Sequence, residues 1–322
     1  MIAGLVLLQA ALAIAVAGPA TSPEYLPLRV ADAEGYFADE QLAVTLETTR
    51  AEAIAAQALG HARVTIAATS LDAAITLGHA GGVPPRLIFG LTAAAPVVLL
   101  VPAPQKDKIR ALADLAGKTI GITAPGTPGQ VALYSILARA EISARQISLQ
   151  SFGERGLVAA VESEAVAAAV VEDPWATRLL QEGKAVALAD LRKRDDAARW
   201  LGGATVHAAL FVRGDTKLGT AELTPLARAL LRAQGRIQNT SPEDLVVKLP
   251  RPVVGAPEDF ALRLLGARDG YLPDGWVSAD TFKRSVALFR SHSAIPAKVD
   301  LPWRLGKLLF TEPLEAALGR RP

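Results

Sequence analysis

Four short segments of this chain carry side chains able to hold a small ligand: Thr21-Ser22, Thr69-Ser70, the run Thr123 to Gly129, and Glu172-Asp173. The first three place hydroxyls where an apolar run ends and a helical pattern begins. Helix N-termini carry partial positive charge and unpaired N–H donors, so they bind anionic or carbonyl oxygens without Lys or Arg. In Ala124-Pro125-Gly126-Thr127-Pro128-Gly129, the two glycines permit close backbone approach and Thr127 adds a hydroxyl. Gly121 and Gly126 have the spacing of a nucleotide-binding loop, but Thr127-Pro128 stands where that loop needs Lys-Ser, which argues against nucleotide hydrolysis. Ser22, Thr69 and Ser70 have an equally ordinary use as helix caps, and capping is compatible with ligand contact. Glu172-Asp173 either binds a cationic or ring N–H group or supplies N-terminal charge to a helix starting at Pro174. Trp175 either stacks on a ligand or packs. Thr92 is a further candidate.

The rest of the composition narrows the chemistry. The chain has no Cys, which excludes disulfides, thiolate metal sites, Cys nucleophiles and a lipoprotein anchor cysteine. Its four His are scattered without metal-ligand spacing, so core or surface roles are expected of them. There is no Gly-x-Ser-x-Gly elbow and no Gly-x-Gly-x-x-Gly dinucleotide loop. No catalytic residue, metal or cofactor is expected. A net charge of +2 gives no global field for nucleic acid, and Arg192-Lys193-Arg194, followed at once by Asp195-Asp196, reads as a solvated face.

The elements that must position these loops alternate. Short apolar strands at 13–17, 42–46, 64–68, 86–91, 97–101, 119–122, 147–152, 165–171 and 204–212 are separated by helical stretches, and the remainder is mostly helical. That alternation is the pattern of parallel α/β architecture. With 322 residues and 51% hydrophobic content, two α/β lobes with real cores are within reach. Met1 to Ala17 holds one polar side chain, Gln9, and no charge. A run of that kind matches the apolar region of a signal peptide, although the usual leading Lys or Arg is missing and a start further upstream is expected. Residues 1–12 are therefore read as export signal and 13–17 as the first strand.

Several segments together resemble a known family. Pro27-Leu28-Arg29-Val30-Ala31-Asp32-Ala33-Glu34-Gly35-Tyr36-Phe37, followed by Glu40-Gln41-Leu42-Ala43-Val44, resembles the opening of the NMT1/SsuA/TauA-like solute-binding proteins. These serve importers of nitrate, sulfonates, taurine and thiamine-precursor pyrimidines. Asp114-Leu115-Ala116-Gly117-Lys118-Thr119-Ile120-Gly121 resembles the segment that opens the second lobe in that group, and Val170 to Trp175 resembles a later strand-to-helix segment. The resemblance runs in order over roughly residues 13–290.

It implies a periplasmic-binding-protein-like fold (type II): two doubly wound α/β lobes joined by two hinge strands. Lobe one would be 13–92 plus 211–322 and lobe two 97–205, with hinges near 91–97 and 205–213. In such sheets ligands sit beyond the carboxyl ends of the strands. The expected ligand-binding set is then Thr21, Ser22, Thr69, Ser70, Thr92, Thr123, Gly126, Thr127 and Asp173. The implied function is a periplasmic, monomeric solute-binding protein of an ABC importer, partnered by a membrane permease. Its expected cargo is a small polar or anionic molecule: a sulfonate, a nitrate-like ion, an organic acid or a heterocycle. The alternative is an enzyme on the same lobes, like the pyrimidine synthases, whose Cys-rich motif is absent here, or the menaquinone-biosynthesis group.

Overall fold

The computed structural model describes residues 11–292 and 301–320. Residues 1–10, most of the expected export signal, lie outside the described residues. Among the described residues, ten strands form two five-stranded sheets. They are β1 (Ala11–Val16), β2 (Ala43–Thr48), β3 (Ile66–Ser70), β4 (Pro85–Gly90), β5 (Val97–Pro102), β6 (Thr119–Ile122), β7 (Ser148–Ser151), β8 (Ala168–Glu172), β9 (Ala185–Asp190) and β10 (Ala208–Arg213). The first sheet has the order β2-β1-β3-β10-β4 and the second β7-β6-β8-β5-β9.

Each sheet is mixed rather than wholly parallel. β1 runs parallel to β2 and β3, while β10 runs antiparallel to β3 and β4. In the second sheet β6 runs parallel to β7 and β8, while β5 is antiparallel to β8 and β9. The reason is the route of the chain. It leaves the first sheet after β4, enters the second at β5 and returns through β10, so each crossing delivers one strand against the prevailing direction.

β5 shows how the second sheet holds its helices. Successive side chains of a strand point to opposite faces. Val97, Leu99 and Val101 therefore join Val170 under the helix Pro128–Arg139, against Leu133, Ile136 and Leu137. Val98 and Leu100 join Ala169 and Val171 on the other face, against Leu157, Val161 and Leu179 of the helices Gly153–Glu162 and Trp175–Gln181. A strand buried on both faces must be apolar at every position, as this one is. The first sheet is covered likewise: β3 is wholly buried, and the helix Thr220–Asn239 packs Leu223, Leu226, Leu230 and Ile237 into the same core.

Some elements differ from the sequence reading. β1 begins at Ala11, so Ala11 and Leu12 of the expected signal segment pair with Ala43 and Val44. β3 extends through Thr69 and Ser70, which were read as a loop. β9 was not anticipated; Ala185 and Ala189 are buried in it while Ala187 between them is exposed. Arg192 is no solvated residue. Its guanidinium engages Asp190 at 2.6 Å and Asp173 at 3.1 Å and donates to Thr177 at 2.8 Å, with 13% of the side chain exposed.

The two crossings run side by side. Leu91 N donates to Ala208 O (2.8 Å), His207 N to Thr92 O (2.9 Å) and Thr205 Oγ1 to Ala93 O (2.9 Å). A third segment joins them: Ala93 N donates to Gly270 O and Leu272 N to Leu91 O.

Candidate functional site

Between the two sheets lies a cavity of about 420 Å³, of the size that takes a small organic ligand. It is built from the strand-to-helix turns. The first sheet contributes Gly18 to Tyr25 after β1 and Arg50 to Glu52 after β2. The second contributes Thr123 to Pro128 after β6, Glu154 after β7, and Glu172 to Trp175 at the end of β8. Arg263, on the helix Pro257–Ala267, closes one side. A smaller cavity of about 60 Å³ lies at the crossings and shares no lining residue with the larger one.

Six of the nine residues proposed from sequence lie on this wall: Thr21, Ser22, Thr123, Gly126, Thr127 and Asp173. Gly126 takes φ +77°, and its N–H donates to Gln130 Oε1 at 2.7 Å. Thr127 begins the helix Pro128–Arg139, but its hydroxyl donates back to Ala124 O at 2.9 Å and does not cap. Ser22 donates to Glu24 Oε2 at 3.3 Å. Asp173 accepts from Thr177 N at 2.9 Å, so it serves the helix start as well as Arg192.

The other three, Thr69, Ser70 and Thr92, are buried away from the wall. Thr69 Oγ1 donates to Glu52 O at 2.8 Å, Ser70 Oγ accepts from Ala73 N at 3.4 Å, and Thr92 Oγ1 accepts from Ala208 N at 3.3 Å. The Thr69 hydroxyl thus ties β3 to the turn after β2, Ser70 caps its own helix, and Thr92 joins the two crossings.

The charged residues of the site were largely missed. Glu24 and Glu52 converge on His207, whose Nε2 lies 3.0 Å from Glu24 Oε1 and 3.5 Å from Glu52 Oε1. Burial opposes the charge on His207, yet the two carboxylates hold its pKa well above the usual histidine value. Burial likewise opposes the charge on Glu52, and His207, Ser70 and Tyr25 together hold its carboxyl below the usual range. Tyr25 donates to Glu52 Oε1 at 2.9 Å, and burial beside these carboxylates raises its phenol well above 10. Glu24, Glu52 and His207 are also the one group, among the described residues, whose ligand atoms lie close enough together to hold a metal ion. The raised histidine makes it an ion-paired imidazolium in this structure.

Glu172 stands apart from that cluster. Its surface opens into the cavity, but the two sheets enclose it and Glu24, Glu154, Glu52 and Asp173 surround it. Loss of bulk water and these like charges raise its carboxyl to about 7. Trp175 Nε1 donates to Glu154 Oε1 at 2.8 Å, and the Arg178 guanidinium lies 5.0 Å from the Trp175 ring. Arg263 donates to Val254 O at 2.7 Å, and burial lowers its pKa.

One signal was available for part of this set. The turn after β2 ends a strand and starts a helix as the chosen turns do, and Glu52 sits in that helix's first turn. His207 had no comparable signal, because it precedes a strand and meets the carboxylates only through the crossing.

The family model described as NMT1/THI5 like matches residues 22–197. No curated protein matches the sequence. Among solved structures, the chain is similar to a protein of Bordetella bronchiseptica RB50 (TM-score 0.75, 23% identity, 97% of this chain and 98% of that one). It is also similar to the alkanesulfonate-binding protein SsuA from Xanthomonas axonopodis pv. citri bound to MOPS (TM-score 0.66, 21% identity, 94% and 98%). A third is a Candida albicans protein described as having the generic periplasmic binding protein structural fold (TM-score 0.64, 12% identity, 94% and 96%). The fold of this chain is the periplasmic-binding-protein fold.

Proposed function

Because the chain belongs to the NMT1/THI5-like family, we propose that it is a solute-binding protein of an ABC importer, closing on a small polar molecule between its two sheets. The observation that carries this reading is the cavity itself: turns from both sheets converge on it from the carboxyl ends of their strands. One lobe comprises β1–β4, β10 and the C-terminal helices, and the other β5–β9. The paired crossings near Leu91–Pro96 and Thr205–His207 are the hinge. A solute touching both lobes binds the closed form better and raises its population. Thr21, Ser22, Thr123, Gly126, Thr127 and Asp173 are the proposed contacts of the sequence set. The protein acts after export, as a monomer, and delivers its cargo to a membrane permease. The likeness to a sulfonate-binding protein supports transport over catalysis.

A thermal-shift screen over organic acids, sulfonates, amines and polar heterocycles tests this. A solute at about a hundred times its Kd adds about 2.7 kcal/mol of stability, enough to raise the melting temperature by several degrees. Thr127→Trp fills the cavity from the second-sheet side and is expected to abolish any such shift. Turnover of a bound compound would favour the enzyme reading instead.

A further inference from the structure

Resting on the binding-protein reading, we propose that the cavity takes an organic cation, a small protonated nitrogen base such as an amine or amidine, in preference to a sulfonate or carboxylate. The wall carries five carboxylates, from Glu24, Glu52, Glu154, Glu172 and Asp173, against two guanidiniums, from Arg50 and Arg263. Groups behind the wall offset only part of the excess. Arg192 pairs with Asp173 but shares its charge with Asp190. His207 is a single imidazolium between Glu24 and Glu52. Glu24 is 5% exposed, and its Oε1, although within ion-pair reach of His207, makes no hydrogen bond. The Glu172 carboxylate makes no hydrogen bond or ion pair among the described residues, and Glu172 lines the cavity.

The places where an anion would dock are taken. Pro23 and Glu24 occupy the turn after β1, and Glu52 sits in the first turn of the helix Glu52–Gly60. Pro128, which has no N–H, opens the helix Pro128–Arg139, and the Gly126 N–H is already given to Gln130. The helix starts after β1 and β2 thus present their own carboxylates to the cavity, and the one after β6 has no N–H at Pro128 and an already engaged one at Gly126. A bound cation supplies the partner that the Glu172 carboxylate lacks and the counter-charge that Glu154, bonded only to the neutral Trp175 indole, lacks among the described residues, and needs no protein charge to move. The indole of Trp175, held in place by Glu154, gives such a cation an aromatic face.

The test is isothermal titration of the full chain at about pH 8 with charge-opposed pairs of similar shape: benzamidine against benzenesulfonate, and hexylamine against hexanesulfonate. The expected result is one-to-one binding of a base, at least tenfold tighter than its anionic counterpart. Glu172→Gln is expected to weaken the base tenfold or more, with circular dichroism verifying its fold, and Glu154→Gln is the second variant with the same expectation. Binding of the sulfonate in preference to the base overturns the proposal and leaves the binding-protein reading standing. A preferred base whose affinity neither variant changes overturns the assigned site. Failure of both charge classes overturns this inference and counts against the binding-protein reading as well.

Discussion

Replacing His207 with Gln removes the one cation between two buried carboxylates. Its Nε2 lies 3.0 Å from Glu24 and 3.5 Å from Glu52, and the three side chains are 11%, 7% and 12% exposed. Breaking a buried ion pair from one side costs about 3–5 kcal/mol, because the remaining charge has no compensation. Gln keeps an amide donor of similar reach, which places the expected loss near the lower end, about 3 kcal/mol at neutral pH. At roughly 2–4 °C per kcal/mol for chains of this order of size, the melting temperature falls by about 6–12 °C. The pH dependence has a definite sign. His207 is raised, so its contribution is complete below its unfolded value of about 6.5 and is lost as pH climbs through the raised folded value. Glu52 is lowered, so its contribution is present above about 4.3 and is lost as pH falls through the lowered folded value. The variant lacks both contributions, so its deficit is fullest between about pH 4.3 and 6.5 and shrinks as pH climbs through the raised value of His207. Thermal unfolding followed by circular dichroism at about pH 4.5, 6 and 7.5 reads it. A drop under 2 °C at pH 6, or a larger drop at pH 7.5 than at pH 6, would refute the ion-paired cluster.

Three further outcomes follow from the same structure. Arg192→Ala leaves Asp173 and Asp190 without their guanidinium and is expected to cost about 3–5 kcal/mol in urea unfolding, with Arg192→Lys restoring only part, since an ammonium cannot span Asp173, Asp190 and Thr177 together. Gly18→Ala places a methyl group 2.1 Å from the Thr49 carbonyl oxygen, a backbone atom that cannot swing away, so about 1–3 kcal/mol of stability is lost and the turn after β1 shifts, measured as a lower melting temperature and weaker solute binding. Glu172 is raised to about 7, so its ionisation costs the unliganded fold stability as pH climbs from its unfolded value through 7; Glu172→Gln is expected to melt above the wild type near pH 8, with the gap closing toward pH 5, and a variant no more stable at pH 8 would contradict that environment.

The parts legible in the sequence were those with a local signature. β6, Thr119–Ile122, is apolar, β-branched and bounded by Lys118 and a Gly/Pro turn, and its bounds needed no correction. β8 was expected deep in a sheet and lies between β6 and β5. The turns after β1 and β6 carry Ser, Thr and Gly at helix starts, and these residues do gather around one cavity. Thr69 and Ser70 look the same in sequence, but the strand continues through them, because Ala209 and Ala208 of β10 pair with them across the sheet. That pairing joins residues far apart in the chain and leaves no local mark. The same holds for Arg192, whose acidic neighbours in sequence suggested solvent while its partners Asp173 and Thr177 come from another turn. The charge of the cavity was largely illegible for a similar reason: its carboxylates come from four separate turns, and only Glu172-Asp173 stood out alone.

On the proposed function, both sheets grip one solute in this cavity. A crystal structure of the protein with the tightest-binding compound from the screen tests it most directly. A single molecule is expected within contact distance of the turn after β1 or β2 on one side and of Thr127 or Glu172 on the other. A molecule seated on one sheet alone, or outside the cavity, would contradict it.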